Sequence, residues 1–450
     1  MARRARAVIV LVVSTLAGCT AVDPTPRWRE LEQVSAEATA QPLLWERDDA
    51  DAARIQATVD ELLAGGLTRD EAVRIALLNN RSLQAQFEAV GMAQADFVQA
   101  GLYSNPQLGA FIGFPISTLN SALTLTAMLS DLWTVPARKR VAAKDADATV
   151  RRVAAGVVAT AADAALAYDE VLFRTKSLEL EERILQAQTE TVEHVQSRVS
   201  EDHSTQLELH HVQTVQFDAE IAVARARRDL NRSRDHLGLA LGLDPGRRDY
   251  ELTDDLQSGP EQTWTPDDAV PFALAHRLDL AVARIRVEQA RQSLAFERTQ
   301  LFRNISVGPG YAGGFGTADS GGPLFDAEIP LFDQNQAQIA KARLRIRQSE
   351  KELKAAELRA RREVLDALAE IDFRREQIRV QRDRVQPMTA KVFAHAQTNA
   401  LHEDLNLMDL LAMRATQIAE RRSFVDALWE LRQAEVALHT ALWGGATDDQ

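Results

Sequence analysis

Cysteine, glycine, proline and aromatic residues are scarce in this sequence. Its 450 residues include one cysteine, 21 glycines and 14 prolines, and 6% are aromatic. A single cysteine cannot close a disulfide within the chain, so no disulfide framework supports the fold. The low content of helix breakers is typical of proteins built from long helices.

Positive charge is in deficit as well. The chain has 52 Lys and Arg against 65 Asp and Glu, a net charge of −13. Proteins that bind nucleic acid need a basic face to displace counterions, so this balance argues against a nucleic-acid partner. An acidic surface suits both a soluble protein and a path for cations.

Long apolar runs are missing after the N-terminus. No later stretch of 18 or more apolar residues exists, so no helix is expected to span a bilayer after processing. The N-terminus itself has three arginines followed by an apolar run over 7–16, which predicts a secretory signal peptide over 1–18. Any later entry into a membrane must then use strands.

The lone cysteine directly follows this run. The sequence Leu16-Ala17-Gly18-Cys19 resembles the bacterial lipobox. The resemblance implies that Cys19 is lipidated, becomes the mature N-terminus and begins a lipid-anchored extended segment over 19–66. Thr20 replaces the Asp associated with inner-membrane retention, which implies the outer membrane. The alternative is a free thiol.

Two halves of the chain repeat each other. Residues 67–83 reappear as 264–280 at an offset of 197, and a periodic series from 209 to 237 reappears from 410 to 438. Self-similarity at a fixed spacing indicates duplicated structural units. We predict a first unit over 67–242, a linker over 243–263 and a second unit over 264–445.

Each unit begins with a helix-start signal and continues with strand-like alternation. Thr68 with Glu71, and Thr265 with Asp268, have the spacing of a capping box. Period-two patterns then predict strands in QLGAFIGF, SALTLTAML, NISVGPGY and PLFDAEIPLF, with a flexible turn over 313–322. The unit therefore starts with a helix followed by two strands.

A very long helix follows each strand pair. One apolar line recurs every seven residues, which calls for left-handed supercoiling against neighbouring helices. Polar tips at 200–205 and 399–406 should reverse each helix into a hairpin. The apolar line comprises Val150, Val157, Ala164, Val171, Leu178, Leu185, Val192 and Val199.

Four strands are too few to close a barrel, and an open sheet edge cannot lie in hydrocarbon. Closure therefore needs several chains, and three would supply twelve strands. Leu123 and Leu125 would then face lipid. Thr124, Asp326 and Glu328 would face water in the barrel lumen.

The double repeat, the strand pairs, the lipobox and the wording of 131–145 and 328–343 resemble the TolC-like outer-membrane efflux channel family, over about residues 60–445. The similarity is greatest to its metal-and-drug efflux lipoproteins. It implies a mainly α fold with a small β part: a homotrimer with an α-barrel of long helical hairpins and a twelve-stranded transmembrane β-barrel.

The implied function is passive export through the outer membrane. Metal ions, drugs or other small molecules would leave through this duct, driven by an inner-membrane RND-type pump joined through a periplasmic adaptor. The partners would thus be two further copies, adaptor, pump and outer-membrane lipid. No enzymatic activity, cofactor or resident metal is expected.

The tips hold candidate aperture residues. Glu208 and Asp409 correspond at an offset of 201, and Glu403 and Asp404 lie in the second tip. A ring of such carboxylates would constrict the periplasmic mouth and attract cations. The alternative is helix capping, since Thr205 with Glu208 and Asn406 with Asp409 have capping-box spacing.

Two other functions compete with the duct. A periplasmic adaptor would have one hairpin between β-rich domains, whereas this sequence predicts two hairpins. An enzyme lacks support, because the G-x-G-x-x-G match at Gly308 is interrupted by Pro309 and no helix follows it in a βαβ unit.

Overall fold

A computed structural model describes residues 22–112, 120–244, 246–247, 250–256, 264–314, 317–401 and 407–444. The predicted signal peptide over 1–18 and the predicted lipidation site Cys19 lie outside these residues. Within the described ranges, no helix is both long enough and apolar enough to cross a membrane.

The two predicted repeats have the same order of elements: short helices, two strands and a long helical hairpin. The first contains α3 (Arg69–Asn79), α4 (Arg81–Ala100), β1 (Gln107–Ile112), β2 (Asn120–Met128), α5 (Asp131–Ser200) and α6 (Gln206–Ala240), after the N-terminal helices α1 (Thr25–Thr39) and α2 (Asp49–Ala64). The second contains α7 (Pro266–His276), α8 (Leu278–Thr299), β3 (Ile305–Gly314), β4 (Thr317–Ala327), α9 (Gln336–Val380), α10 (Gln386–Leu401) and α11 (Leu407–Trp443).

The chain divides into two compact units that each draw on both repeats. One holds the described residues up to Leu31 with Glu88–Val150 and Val282–Leu353, and it includes the sheet. The other holds Glu32–Phe87, Arg151–Ala281 and the described part of Lys354–Gln450, and it includes the hairpins. The domain boundaries at 67–242, 243–263 and 264–445 follow the sequence repeat and stay a prediction.

The described residues 22–66 of the segment expected to be extended are largely helical. They contain helices α1 and α2. Ile55, Val59 and Leu63 recur every four residues along α2 and are buried in the helical core, together with Tyr168 and Leu237. This four-residue spacing of apolar residues is typical of a helix, but the whole segment was expected to be an extended link to the lipid anchor.

The predicted capping box is confirmed at Thr68, and at Thr265 the hydroxyl caps the helix without the reciprocal bond to the backbone N–H. At the start of α3 the Thr68 hydroxyl accepts a hydrogen bond from the Glu71 N–H, and the Glu71 carboxylate accepts one from the Thr68 N–H. At the start of α7 the Thr265 hydroxyl accepts one from the Asp268 N–H. These bonds satisfy amides that the first helical turn leaves unpaired.

Each repeat breaks its short helices at one residue that the sequence did not reveal. Asn80 ends α3 and caps α4, and its amide donates to the Ala240 carbonyl at 3.0 Å. Arg277 separates α7 from α8, and its guanidinium donates to the Ala441 carbonyl at 2.8 Å. The joint between the two short helices therefore has a neutral side chain in the first repeat and a charged one in the second.

The long helices and the seven-residue pattern are confirmed. Helix α5 runs for 70 residues. All eight positions of the apolar line are buried or half-buried. A π-helical turn at Gln381–Val385 links α9 and α10, with the Gln386 N–H donating to the Gln381 carbonyl. Pro387 explains this turn, because its ring would clash with the carbonyl four residues earlier in a regular helix.

The four strands form one antiparallel sheet in the order β1-β2-β3-β4. Strand β4 differs from the expectation at both ends. It begins at Thr317, inside the predicted turn over 313–322, and it ends at Ala327 rather than continuing through Leu331. The glycines there suggested a turn. Two of them instead pair with β3, Gly322 opposite Gly310 and Gly321 opposite Tyr311.

Candidate functional site: the amphipathic sheet and the hairpin tips

One face of the sheet is continuously apolar. The strand register places Leu108 beside Leu125, Leu123 beside Tyr311, and Val307 beside Phe325. Residues paired in antiparallel strands lie on the same face, so these side chains form a single surface across all four strands. They are exposed on the chain: Leu108, Leu123, Leu125, Val307, Tyr311 and Phe325.

The other face is mostly polar or small. Gln107 lies opposite Thr126, Gly109 opposite Thr124, and Ser306 opposite Asp326. Bulky groups interrupt it at Phe111 and Leu324, which share this face by the same register. The alternation predicted from the sequence is therefore present in the strand register.

Asp326 and Glu328 occupy different positions. Asp326 lies within β4 on the polar face and is exposed. Glu328 follows the last residue of β4, and its carboxylate accepts a hydrogen bond from the Asn304 amide at 2.5 Å. Asp326 therefore has the strand position expected of a lumen residue, whereas Glu328 lies at the end of the sheet. Their lumen role remains a prediction.

The glycines of the rejected dinucleotide-binding motif have a structural explanation, since at Gly308 the backbones of two strands approach each other closely. A Cβ on Gly308 would overlap the backbone carbonyl of Leu125 in the neighbouring strand. Glycine is thus required for strand contact here. Gly308 and Gly310 lie in β3, outside the helix-start context that dinucleotide binding needs.

The first tip is tightly closed. The His203 N–H donates to the Arg198 carbonyl at 2.8 Å, and the Asp202 N–H donates to the Val199 carbonyl at 3.2 Å. Together these two hydrogen bonds form a Schellman motif, which ends a helix. The residue that follows the C-cap of the helix, here Asp202, is expected to have the left-handed conformation in this motif. Asp202 has that conformation, with φ of 59°. It supplies the positive φ that a tip glycine would otherwise provide.

Glu208 caps the helix that leaves this tip. The Thr205 N–H donates to Glu208 Oε2 at 2.8 Å, and the Glu208 N–H donates to the Thr205 hydroxyl at 3.2 Å. The capping alternative is therefore confirmed for Glu208. The aperture role is untested: Glu403 and Asp404 lie outside the described residues, and of Asp409 the structure describes the backbone position in α11 alone.

Three contacts join α5 of the first hairpin to α11 of the second, and we call them the hairpin seam. Arg422 donates two hydrogen bonds to the Glu181 carboxylate, at 2.7 and 2.6 Å. Arg414 donates to the Thr191 hydroxyl at 2.7 Å. The third contact is a ring stack with centroids 5.6 Å apart, between Phe173 and Trp429.

Burial shifts charged groups along the hairpin seam. Burial lowers the pKa of Arg414, although the charge of Glu190 opposes this shift. Burial raises the pKa of Asp426, against the attraction of Arg174 and Arg422. The hairpin seam therefore contains charges that are partly removed from water. Arg422 and Trp429 are seven residues apart in the sequence, a spacing that places both on one face of a coiled helix.

A buried ion pair lies near the base of the hairpins. Asp169 is 1% exposed, and one of its carboxylate oxygens accepts a hydrogen bond from Arg69 Nε at 3.0 Å. Burial raises the pKa of Asp169, while the positive charges of Arg69 and Arg432 lower it to a smaller extent. This residue lies in the middle of α5, and its sequence position gave no sign of the partner 100 residues away.

The described part of the chain contains no cluster of three or more His, Cys, Asp or Glu side chains that could hold a metal ion. His194, His203, His210 and His211, which crowd the first tip in the sequence, do not form such a cluster there.

Several solved structures share this fold. The CusC channel, described in connection with transmembrane channel formation, has a TM-score of 0.73 and 20% identity, covering 84% of this chain and 92% of its own. The CmeC outer-membrane channel of Campylobacter jejuni has a TM-score of 0.70 and 14% identity, covering 85% and 87%. The MtrE outer-membrane channel of Neisseria gonorrhoeae has a TM-score of 0.68 and 18% identity, covering 88% and 91%.

The chain thus has the fold of TolC-like outer-membrane efflux channels, mainly α with a small sheet and an internal repeat. Residues 270–445 match the family model for outer membrane efflux protein, and the predicted resemblance to that family is confirmed. The matched family is one of efflux proteins rather than enzymes. No curated protein sequence matches the chain significantly.

Proposed function

We propose that three copies of this protein form the outer-membrane exit duct of a tripartite efflux system. The observation that carries the proposal is a sheet with a continuous apolar face and two open edges, β1 and β4. In hydrocarbon the unpaired amides and carbonyls of those edges would find no partner. Pairing β4 of one copy with β1 of the next removes both edges, and three copies give twelve strands.

The duct would be passive. The long hairpins would line a path from the periplasm, and energy would come from an inner-membrane RND-type pump joined through a periplasmic adaptor. Metal ions, drugs or other small molecules are the proposed cargo, and the outer membrane, with lipidated Cys19 as an anchor, is the proposed location. Asp326 and Glu328 would place carboxylates in or at the end of the lumen.

The tip carboxylates would form the periplasmic aperture. Glu208 makes two capping hydrogen bonds with Thr205. Its carboxylate oxygen Oε2 accepts one, and its backbone N–H donates the other. Its second carboxylate oxygen therefore stays available to a passing cation while the helix is capped. Glu208 and Asp409, with Glu403 and Asp404 nearby, would attract cations at the mouth.

The test is reconstitution of the full-length protein in planar bilayers together with measurement of its mass in detergent. We expect a trimer with a stable conductance. Replacing Glu208 and Asp409 together by Gln and Asn should reduce cation selectivity and weaken block by divalent cations from the periplasmic side.

A matched control removes two charges away from the tip, by Asp218→Asn with Glu220→Gln on α6, and should leave selectivity unchanged. A monomer without conductance would overturn the duct. Conductance with unaltered selectivity in the Glu208 and Asp409 variant would leave these residues with helix capping alone.

A further inference from the structure

Exposed apolar side chains surround one end of the sheet. β1 and β3 begin there, and β2 and β4 end there, because Gln107 pairs with Thr126 and Ile305 with Ala327. All four connections to helices therefore leave from this end. Each carries large apolar groups in contact with solvent, the most exposed being Phe332 at 92%: Leu102, Tyr103, Leu132, Phe302, Ile329 and Phe332.

Basic residues follow directly in the two long helices. Between 132 and 144 the chain has four basic residues and no acidic one, and between 336 and 349 it again has four and none. The whole chain has a net charge of −13 although these two stretches contribute +8, so the rest of the chain is strongly acidic. We call six of these groups the basic belt: Arg138, Lys139, Arg140, Lys341, Arg343 and Arg345.

The basic belt has no acidic partners among the described residues. Arg138 donates to the carbonyls of Ala100 and Leu102, Lys139 lies 4.9 Å from the ring centre of Phe97, and Arg345 donates to the amide of Gln348. None of the six makes an ion pair in the parts of the chain that the structure describes. Nearby Arg27 contrasts with them, because it pairs with Asp147 at 2.6 Å.

Three acidic groups beside the belt have other partners. Asp131 is buried and accepts the Ser104 N–H at 2.6 Å. Asp147 is held by Arg27 and Lys144, and Asp333 by Arg303. None of these carboxylates forms an ion pair with a residue of the belt.

With the sheet in hydrocarbon, the belt would lie within side-chain reach of the lipid head groups. Its residues follow the first residue of α5 or α9 by five to nine positions, or about 8–14 Å along a helix. Head groups occupy roughly 5–8 Å beyond the hydrocarbon on each side of a bilayer. Helical side chains point toward the helix N-terminus, here toward the sheet, and long basic side chains extend further to reach polar head groups.

We propose that the basic belt binds the phosphate groups of anionic phospholipids in the leaflet that faces the periplasm. The inference rests on the proposed function, because it needs the apolar face of the sheet in hydrocarbon. Charge complementarity and continuity with that face identify the occupant: apolar junction residues contact acyl chains, and the adjacent cations contact phosphate.

The test measures lipid selectivity of the full-length protein in phosphatidylcholine vesicles. Trace spin-labelled phosphatidylglycerol or phosphatidylcholine reports the fraction of each lipid that the protein immobilises. We expect at least about twofold preference for phosphatidylglycerol at low salt, falling at high salt as the charges are screened. The variant Lys139→Gln, Arg140→Gln, Lys341→Gln, Arg343→Gln should lose this preference.

Two controls isolate the position of the charge. Lys139→Arg, Arg140→Lys, Lys341→Arg, Arg343→Lys preserves every charge and should preserve the preference. Lys351→Gln, Lys354→Gln, Arg359→Gln, Arg361→Gln removes four exposed charges further along α9 and should also preserve it.

The outcomes separate this inference from the duct. A conducting trimer without lipid preference overturns the basic belt and leaves the duct standing. Lipid preference without conductance overturns the duct alone. Loss of the trimer in the first variant, with lipid preference unchanged, would overturn the lipid role and assign the belt to contacts between copies.

Discussion

Asp202 shows how this chain closes a helical hairpin without glycine. A left-handed conformation disfavours residues with a Cβ, and Asp tolerates it better than most because its short polar side chain can bond locally. The sequence therefore looks as though it lacks a tip signal. Asp202 is the tip signal, but an Asp in the sequence indicates a positive φ only weakly.

Asp202→Gly should stabilise the first hairpin by about 1 kcal/mol, because glycine adopts positive φ without the Cβ penalty. The rise in the thermal midpoint of the purified protein measures the gain. Glu201→Gly provides the control, since Glu201 does not have positive φ and added backbone freedom should lower the midpoint. Equal effects of both substitutions would contradict the assignment.

Asp169 makes stability depend on pH in an unusual direction. Its folded-state pKa is raised by burial. Between its ordinary pKa near 3.8 and the folded value, the folded state binds more protons than the unfolded state, so stability falls as pH rises through this window. The carboxylate is then a buried charge that Arg69 only partly compensates.

Asp169→Asn should remove this dependence. The difference in thermal midpoint, variant minus wild type, should increase as pH rises from about 3.8 and then level off. The slope is the measurement, because any difference in packing between Asn and the protonated Asp side chain adds only a pH-independent offset. A difference that stays flat across the window would show that Asp169 keeps its ordinary pKa in the folded protein.

At the scale of elements, local patterns predicted what local physics determines. The Thr68 capping box, the Thr265 helix cap, the period-two strands and the seven-residue line of α5 appear in the structure because each depends on neighbours within a few residues. The hairpin seam and the Asn80 and Arg277 joints were not predicted, because their partners lie more than 100 residues away in the chain. The end of β4 was misplaced because alternation continued past the last paired residue.

The Glu181–Arg422 contact should couple the two hairpins energetically. A double-mutant cycle with Glu181→Gln and Arg422→Gln should give a coupling of about 1 kcal/mol, because the pair is bidentate and Glu181 is only 13% exposed. Chemical unfolding followed by fluorescence measures each variant.

The neighbouring Glu182–Arg227 pair provides the control for that cycle. Both side chains are largely exposed and one hydrogen bond of 2.7 Å joins them. Its coupling should be about 0.3 kcal/mol, as for exposed pairs in general. Similar couplings for the two pairs would mean that bidentate geometry and burial add nothing at the hairpin seam.

At the scale of the whole molecule, the sheet edges predict how copies join. A cysteine at Gly109 in β1, combined with one at Ser320, Gly322 or Leu324 in β4, places thiols on the same face of opposite edges. In a closed ring, oxidation should link β4 of one copy to β1 of the next for at least one of the three pairs. Covalent species should stop at the trimer on a non-reducing gel.

Variants with only one introduced cysteine are the controls for this crosslinking, because any crosslink they form must involve Cys19 or two copies of the same introduced residue. Ladders that extend beyond three copies would indicate open edge-to-edge association instead of closure. Absence of any crosslink across all three pairs would contradict β1–β4 pairing between copies.

The paired joints also have a consequence for symmetry. Asn80 and Arg277 occupy equivalent places, and Gly242 and Gly444 end the last helix of each repeat with φ of 67° and 71°. A ring of three duplicated chains would approach sixfold symmetry at this level. Arg277 pairs with Asp279 and Glu363, whereas Asn80 has only neutral backbone partners in the hydrogen bonds described above. Charged and neutral joints would then alternate around the axis, and we expect hairpins to move in threes rather than as six equal parts.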